Sequence, residues 1–311
     1  MAATRPRDER ASIGAGGDAG VRDRIVALWW SLRPLQWTKN AVVLGALVFA
    51  DRLFDPATLI SALLATAAFC GLSSGVYLLN DVRDREQDRL HPDKQRRPIA
   101  AGTLPVGVAL AASAVLILAS LVVAAIVNGA FAGIAVAYVA LMIAYTLGLK
   151  RLVIVDVLAI AAGFVLRAVG GAVAIGVTFS PWLLACTLLL ALFLGFGKRR
   201  AELAHLPDAV AHRENLETYT LPLLDQLTAV TAAATVACYT LYTVEARAAT
   251  GEAAMLLTVP LVVYAVFRYL FLMHRRGGGG RPEAALVEDG PLLVAVAVWG
   301  VACVVILYGG A

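Results

Sequence analysis

Nine apolar runs divide the chain, at about 40–54, 57–79, 104–127, 130–148, 153–175, 179–196, 221–244, 254–273 and 291–309. Most are long enough, at roughly 18 to 25 residues, to cross the hydrocarbon core of a bilayer as a helix. In that environment helices and closed barrels are the only spanning structures that satisfy their own backbone polar groups. The first run is the shortest and ends at Asp51, Arg52 and Asp55. Composition agrees: 60% of residues are apolar, 15% are charged and the mean hydropathy is +0.79. Soluble chains run nearer 45–50% apolar and about 25% charged. A disordered chain, a soluble nucleic-acid-binding module and a disulfide-stapled secreted fold are all excluded. The expectation is an all-α integral membrane protein with nine transmembrane helices.

The remaining segments are polar. Residues 1–21 hold Arg5, Arg7, Arg10 and a run of Gly, Ala and Asp, without an apolar signal-peptide core. They read as a disordered cytoplasmic tail, and residues 22–311 as a single transmembrane domain. Residues 22–39 mix Trp29, Trp30 and Trp37 with Arg22, Arg24, Arg33 and Lys39, which suits a helix in the membrane interface. Gly277–Gly280 reads as a flexible linker.

The basic residues set an orientation. With the N-terminus inside, the inner segments hold 22 of the 26 Lys and Arg. Only Arg52 and Arg247 lie outside, and Arg167 and Arg268 fall within spans. The positive-inside rule therefore favours an inner N-terminus and an outer C-terminus. The long, charged inner loops, 81–103 and 197–220, place any chemistry on the cytoplasmic side. Cys70, Cys186, Cys238 and Cys303 sit in apolar runs without metal or redox spacing, and read as small buried hydrophobes. The four histidines are scattered over inner segments without ligand spacing.

Within the first charged loop, Asn80-Asp81-Val82-Arg83-Asp84 leads on to Asp88. On a continuing helix Asp81, Asp84 and Asp88 form one stripe with Asn80 at its edge. Three carboxylates on one face repel each other unless a cation binds. Oxygen-only ligands suit Mg²⁺, which bridges to substrate phosphates. The plainer alternative is a solvated charged loop, since Arg83, Arg85 and Arg89 interleave. Lys94, Arg96 and Arg97 follow, as a topology signal or as phosphate ligands.

Further candidates lie along the chain. Tyr145 and Lys150 close the fourth run, and Asp156 opens the fifth. Asp156 and Arg167 are eleven residues apart, which puts them within about 20° on a helix and about 16 Å apart along its axis. Intramembrane charges are costly and mark function by default, so both are expected to line a polar cavity. Lys198-Arg199-Arg200, with Glu202 beyond and Gly195 and Gly197 before, suits an anion site or a topology signal. The four lysines, Lys39, Lys94, Lys150 and Lys198, each fall near a candidate site. Arg268 is placed to snorkel toward the inner surface.

These motifs, in this order, resemble the UbiA superfamily of intramembrane prenyltransferases over about residues 30–310. The resemblance implies a UbiA-like nine-helix bundle. It also implies a Mg²⁺-bound pyrophosphate over aspartate-rich motifs, beside a lateral opening for a polyprenyl chain. At the second such motif the chain departs, with Lys198-Arg199-Arg200-Ala201-Glu202 in place of D-x-x-x-D. That run and Leu32-Arg33-Pro34-Leu35-Gln36-Trp37-Thr38-Lys39-Asn40 look like the superfamily's decaprenyl-phosphate phosphoribosyltransferase branch. There 5-phosphoribosyl 1-diphosphate (PRPP) is the donor and decaprenyl phosphate the acceptor. The product leads to arabinan of the actinobacterial cell wall, and the enzyme sits in the bacterial plasma membrane.

Charge supports the branch. PRPP and a lipid phosphate together carry about −6 to −7, scaled from a phosphate monoester. On the implied mechanism Asp81 and Asp84 hold Mg²⁺ on the diphosphate, assisted by Asn80 and Asp88. Lys198, Arg199 and Arg200 hold phosphates of PRPP, and Lys39, Arg96 or Arg167 the lipid phosphate. Two other readings remain: a prenyltransferase with an aromatic or quinone acceptor, and a carrier or flippase for a phosphorylated solute. Membrane lipid is a partner on every reading, nucleic acid on none, and a bundle of this kind can assemble as a homo-oligomer.

Overall fold

The computed structural model describes residues 20–92, 94–205, 217–250, 254–276 and 282–309. Every regular element among them is helical. The expected 1–21 tail, apart from Gly20 and Val21, and the Gly277–Gly280 linker lie outside the described residues. Helix α1 (Val21–Ser31) is followed by a 3-10 segment (Pro34–Leu44), α2 (Gly45–Phe49), α3 (Pro56–Arg83) and α4 (Arg85–Leu90). Then come α5 (Val106–Val127), α6 (Gly129–Leu147), α7 (Val155–Ala174) and α8 (Pro181–His205). The chain ends with α9 (Leu221–Thr250), α10 (Val259–Arg276), α11 (Pro282–Glu288) and α12 (Gly290–Tyr308).

Eight of these helices are long and apolar enough to cross a membrane: α3, α5, α6, α7, α8, α9, α10 and α12. Their outer flanks are apolar, with Leu118, Ile126, Val301 and Val305 exposed. In a bilayer those flanks meet lipid, and the chain is a multi-pass membrane protein. Caps fix several helix ends. Asp55 accepts from the amide of Ala57 ahead of Pro56, and Asn128 accepts from that of Phe131 at 2.7 Å. Asp289 does the same for Leu292. Small residues let neighbours approach closely, as is usual between membrane helices. Ser113 on α5 donates to the carbonyl of Gly75 on α3 at 2.7 Å.

The expected first span takes a different form. It is not one long α-helix but the 3-10 segment followed by the five residues of α2. This stretch runs antiparallel to α3, with Asn40, Val43, Ala46 and Leu47 buried against the bundle. Trp37 meets Ser74 and Asn40 meets Cys70. Tyr308, at the last turn of α12, then donates to the carbonyls of Leu47 and Val48. It thus leads from the Asp81 end of the bundle to the Tyr308 end. A 3-10 helix rises about 2.0 Å per residue against 1.5 Å in an α-helix. Eleven such residues therefore cover about 22 Å, which is how so short a stretch reaches so far. Gly171 on α7 permits the path: a Cβ there would stand 2.1 Å from the carbonyl oxygen of Val43.

Candidate active site

Charge collects at one end of the bundle, where α3 and α8 stop and α7 and α9 begin. Helix α3 ends at Arg83, and Asp84 (φ −88°, ψ 5°) turns the chain into α4. The expected stripe of three aspartates is therefore broken in its middle. Asp81 and Asp88, both buried, share one guanidinium. Arg97 donates to Asp81 Oδ1 at 3.0 Å and to Asp88 Oδ2 at 2.7 Å. Asp84 instead faces the connection between α6 and α7. There it pairs with Lys150 and accepts from Asn80 at 3.0 Å. A second cation reaches Asp81 from the entry segment: Arg33 Nη2 stands 2.5 Å from Oδ1. The Arg33 guanidinium also lies over the Tyr77 ring, 4.9 Å from its centroid. Burial pushes the Asp88 carboxyl above the usual carboxylate range, against the pull of Arg97 and Lys94.

A second cluster occupies the ends of α7, α8 and α9. Asp156, fully buried, accepts from Arg199 Nε at 2.7 Å and from the Tyr219 hydroxyl at 3.0 Å. Arg199 also reaches Glu202 at 2.6 Å and is itself 2% exposed. The Tyr219 oxygen accepts from the amide of Ile154 at 2.6 Å. Burial pushes the Tyr219 phenol up to about 12, so it stays protonated and remains a donor to Asp156. Tyr145 lies close enough to Arg199 to interact electrostatically. The α6–α7 connection thus ties the two clusters together, with Lys150 turned to Asp84 and Ile154 to Tyr219.

Three sequence expectations need correction. Lys198, Arg199 and Arg200 do not form one cationic wall. Helix α8 continues through them, so successive side chains diverge by about 100°. Lys198 is exposed, Arg199 is locked between Asp156 and Glu202, and Arg200 pairs with Asp225. Asp225 in turn lies 3.3 Å from His274 Nε2. Nor do Asp156 and Arg167 share a polar cavity. Arg167 is buried and donates to Asn40 Oδ1 at 2.7 Å, to the Tyr138 hydroxyl at 2.7 Å and to the Gly163 carbonyl at 3.2 Å. The rings of Tyr138 and Phe164 cover it. Arg268 does not simply snorkel, because it makes a two-pronged ion pair with Asp289.

The other candidates are more peripheral. Lys39 and Lys94 are half-buried, and Arg96 is exposed. Arg33 and Tyr219 hold central positions that sequence spacing does not reveal. The available signal for Arg33 is its place before Pro34 at the end of an interfacial helix. No group of three or more His, Cys, Asp or Glu among the described residues is close enough to enclose a metal. The donor chemistry nevertheless fits Mg²⁺. Asp81 and Asp84 lie about one turn apart, Asn80 turns its amide oxygen to Lys150 at 3.4 Å, and Mg²⁺ commonly takes one or two carboxylates plus substrate phosphates.

The sequence profile described as the UbiA prenyltransferase family matches residues 41–286. The decaprenyl-phosphate phosphoribosyltransferase of Corynebacterium glutamicum is 36% identical over 282 residues, covering 88% of this chain and 84% of that protein. The protein of the same name from Mycobacterium tuberculosis is 35% identical over 275 residues, covering 86% and 90%. Among solved structures, a UbiA homologue from Archaeoglobus fulgidus bound to GPP and Mg²⁺ superposes with a TM-score of 0.71. It is 20% identical and matches 89% of this chain and 99% of that one. By its profile, its relatives and its fold, the chain belongs to the UbiA prenyltransferase family.

Proposed function

We propose that the protein transfers 5-phosphoribosyl from PRPP to decaprenyl phosphate, releasing pyrophosphate and forming decaprenylphosphoryl 5-phosphoribose. The observation that carries this reading is the set of three cations, Arg33, Arg97 and Lys150, gathered on Asp81, Asp84 and Asp88 at one mouth of the bundle. Similarity to the two phosphoribosyltransferases over most of the chain supports the choice of substrates.

Asp81 and Asp84, with Asn80, would hold Mg²⁺, which when bound neutralises charge on the departing pyrophosphate. Arg33, Arg97 and Lys150 contact the diphosphate oxygens, and Arg is suited to two-pronged phosphate contacts. Asp88 anchors Arg97. Exposed Lys198 and Arg96, with Lys94 and Lys39, serve the remaining phosphates. Arg199, Arg200 and Arg167 hold the bundle together. The lipid phosphate oxygen attacks C1 of the ribose as the C1–O bond to the diphosphate breaks. That oxygen is already ionised at pH 7, so no general base is needed. Catalysis rests on positioning and on charge placed where charge develops.

The stretch from Pro34 to Phe49 makes a ninth crossing, with the Asp81 end facing the cytoplasm, the C-terminus outside and the protein in the bacterial plasma membrane. The product then feeds the cell-wall arabinan.

The test is purified protein in detergent with Mg²⁺ and labelled PRPP, with or without decaprenyl phosphate. Lipid-soluble label that requires the lipid is expected, and Asp81→Ala should lower it at least 100-fold, about the size of losing one key electrostatic contact, while still inserting into membranes. Transfer from a prenyl diphosphate instead would point to an ordinary prenyltransferase. Solute uptake without transfer would point to a carrier.

A further inference from the structure

We propose that Ser74 is a positioning residue that holds Arg33 against Asp81; the inference rests on the proposed role of Arg33 at the diphosphate. Arg33 has a left-handed backbone (φ 56°, ψ 59°). That conformation is costly for a residue with a side chain, and the steric demands of a following proline add to it. Something must hold it there. Local backbone bonds, from the Gln36 amide to the Arg33 carbonyl at 2.8 Å and from the Arg33 amide to the Trp30 carbonyl at 3.2 Å, hold part of the turn, and Pro34 has no amide hydrogen to add.

The remaining support comes from one face of α3. Ser74, Tyr77 and Asp81 stand at i, i+3 and i+7, which aligns them on a helix. Ser74 is buried, 1% exposed. Its hydroxyl donates to the carbonyl of Leu32 at 2.9 Å and accepts from the indole nitrogen of Trp37 at 3.0 Å. A hydroxyl has one proton and two lone pairs, and here it bonds the entry segment on both sides of the Arg33–Pro34 turn. Tyr77 then carries the guanidinium face, and Asp81 receives its Nη2. The three side chains act in series: a hydroxyl fixes the backbone, a ring fixes the plane, and a carboxylate marks the end point.

Removing the hydroxyl leaves the Leu32 carbonyl and the Trp37 indole without that partner and frees the turn to relax. Arg33 then loses its aim, although Asp81 and Arg97 are untouched. A purely structural hydroxyl would affect stability and nothing else.

The experiment is a double-mutant cycle of Ser74→Ala and Arg33→Ala in the full-length protein, with Ser74→Thr as the rescue. Two readouts are taken: thermal unfolding in detergent, and calorimetric affinity for Mg²⁺-pyrophosphate. Ser74→Ala should weaken pyrophosphate binding about tenfold, as expected for the loss of a buried hydrogen bond. It should add nothing once Arg33 is alanine. The unfolding effects should likewise be less than additive, and Ser74→Thr should restore both. Additive effects in unfolding overturn the proposal whatever the ligand does. A wild type that binds no Mg²⁺-pyrophosphate overturns the functional reading, and the unfolding cycle still decides the role of Ser74. Should Ser74→Ala fail to fold, Trp37→Phe removes the indole donor together with part of the ring that meets Trp29, and is expected to weaken pyrophosphate binding in the same direction.

Discussion

Arg97 and Arg199 show how the same side chain takes different work from its surroundings. Arg97 is half-buried at the mouth and holds two aspartates at once. Arg199 is almost fully buried and spends its hydrogen bonds on Asp156 and Glu202. A charge in that position is tolerable only while its counter-charge remains. Asp156→Ala should therefore destabilise the fold by about 3–5 kcal/mol, the usual cost of orphaning a buried partner. Thermal unfolding in detergent measures it. Replacing Asp156 and Arg199 together by apolar residues should recover much of the loss. Recovery in the double variant with transfer activity retained would assign Arg199 to the scaffold. Loss of activity despite a recovered fold would return it to the phosphate site.

Helices α3 and α7 and the segment between α1 and α2 determine how closely the site can be assembled. The 3-10 segment enters because Gly171 gives it room beside α7. A methyl group at that position would collide with backbone, which yields less readily than a side chain. Gly171→Ala should cost about 1–3 kcal/mol, the range for overpacking a close contact. It should also weaken Mg²⁺-pyrophosphate binding, because the segment carries Arg33 at its start. Thermal unfolding and calorimetry on the same preparation check both effects. Unchanged stability would mean that the segment shifts without consequence. The charged run on α8 carries the complementary lesson. Three adjacent cations look like a single patch in one dimension, yet a helix spreads them over most of its circumference.

At the scale of the molecule, the arrangement concentrates polarity at one end and leaves lipid-facing flanks apolar. The ninth crossing proposed above would put Arg52 and Gln95, both exposed, on opposite sides of the membrane. In a background without the four native cysteines, Arg52→Cys should react with an impermeant maleimide from outside intact cells. Gln95→Cys should react only after the cells are opened. Equal labelling of both sites would mean that the entry segment folds back instead of crossing.

The all-helical class of fold and eight of the nine expected spans were legible in the amino-acid sequence, as was the spacing of the aspartates in the Asn80–Asp88 motif. Hydrophobic run length and charge placement are local quantities, and a bilayer converts them directly into helices and loops. The sequence could not show that Asp84 breaks the stripe, that Arg33 reaches Asp81 from 48 residues away, or that Lys198, Arg199 and Arg200 part company. Those outcomes depend on which helix ends meet in space. Only the packed structure decided them, because an ion pair forms where opposite charges can share a few ångströms, and distance along the chain does not measure that.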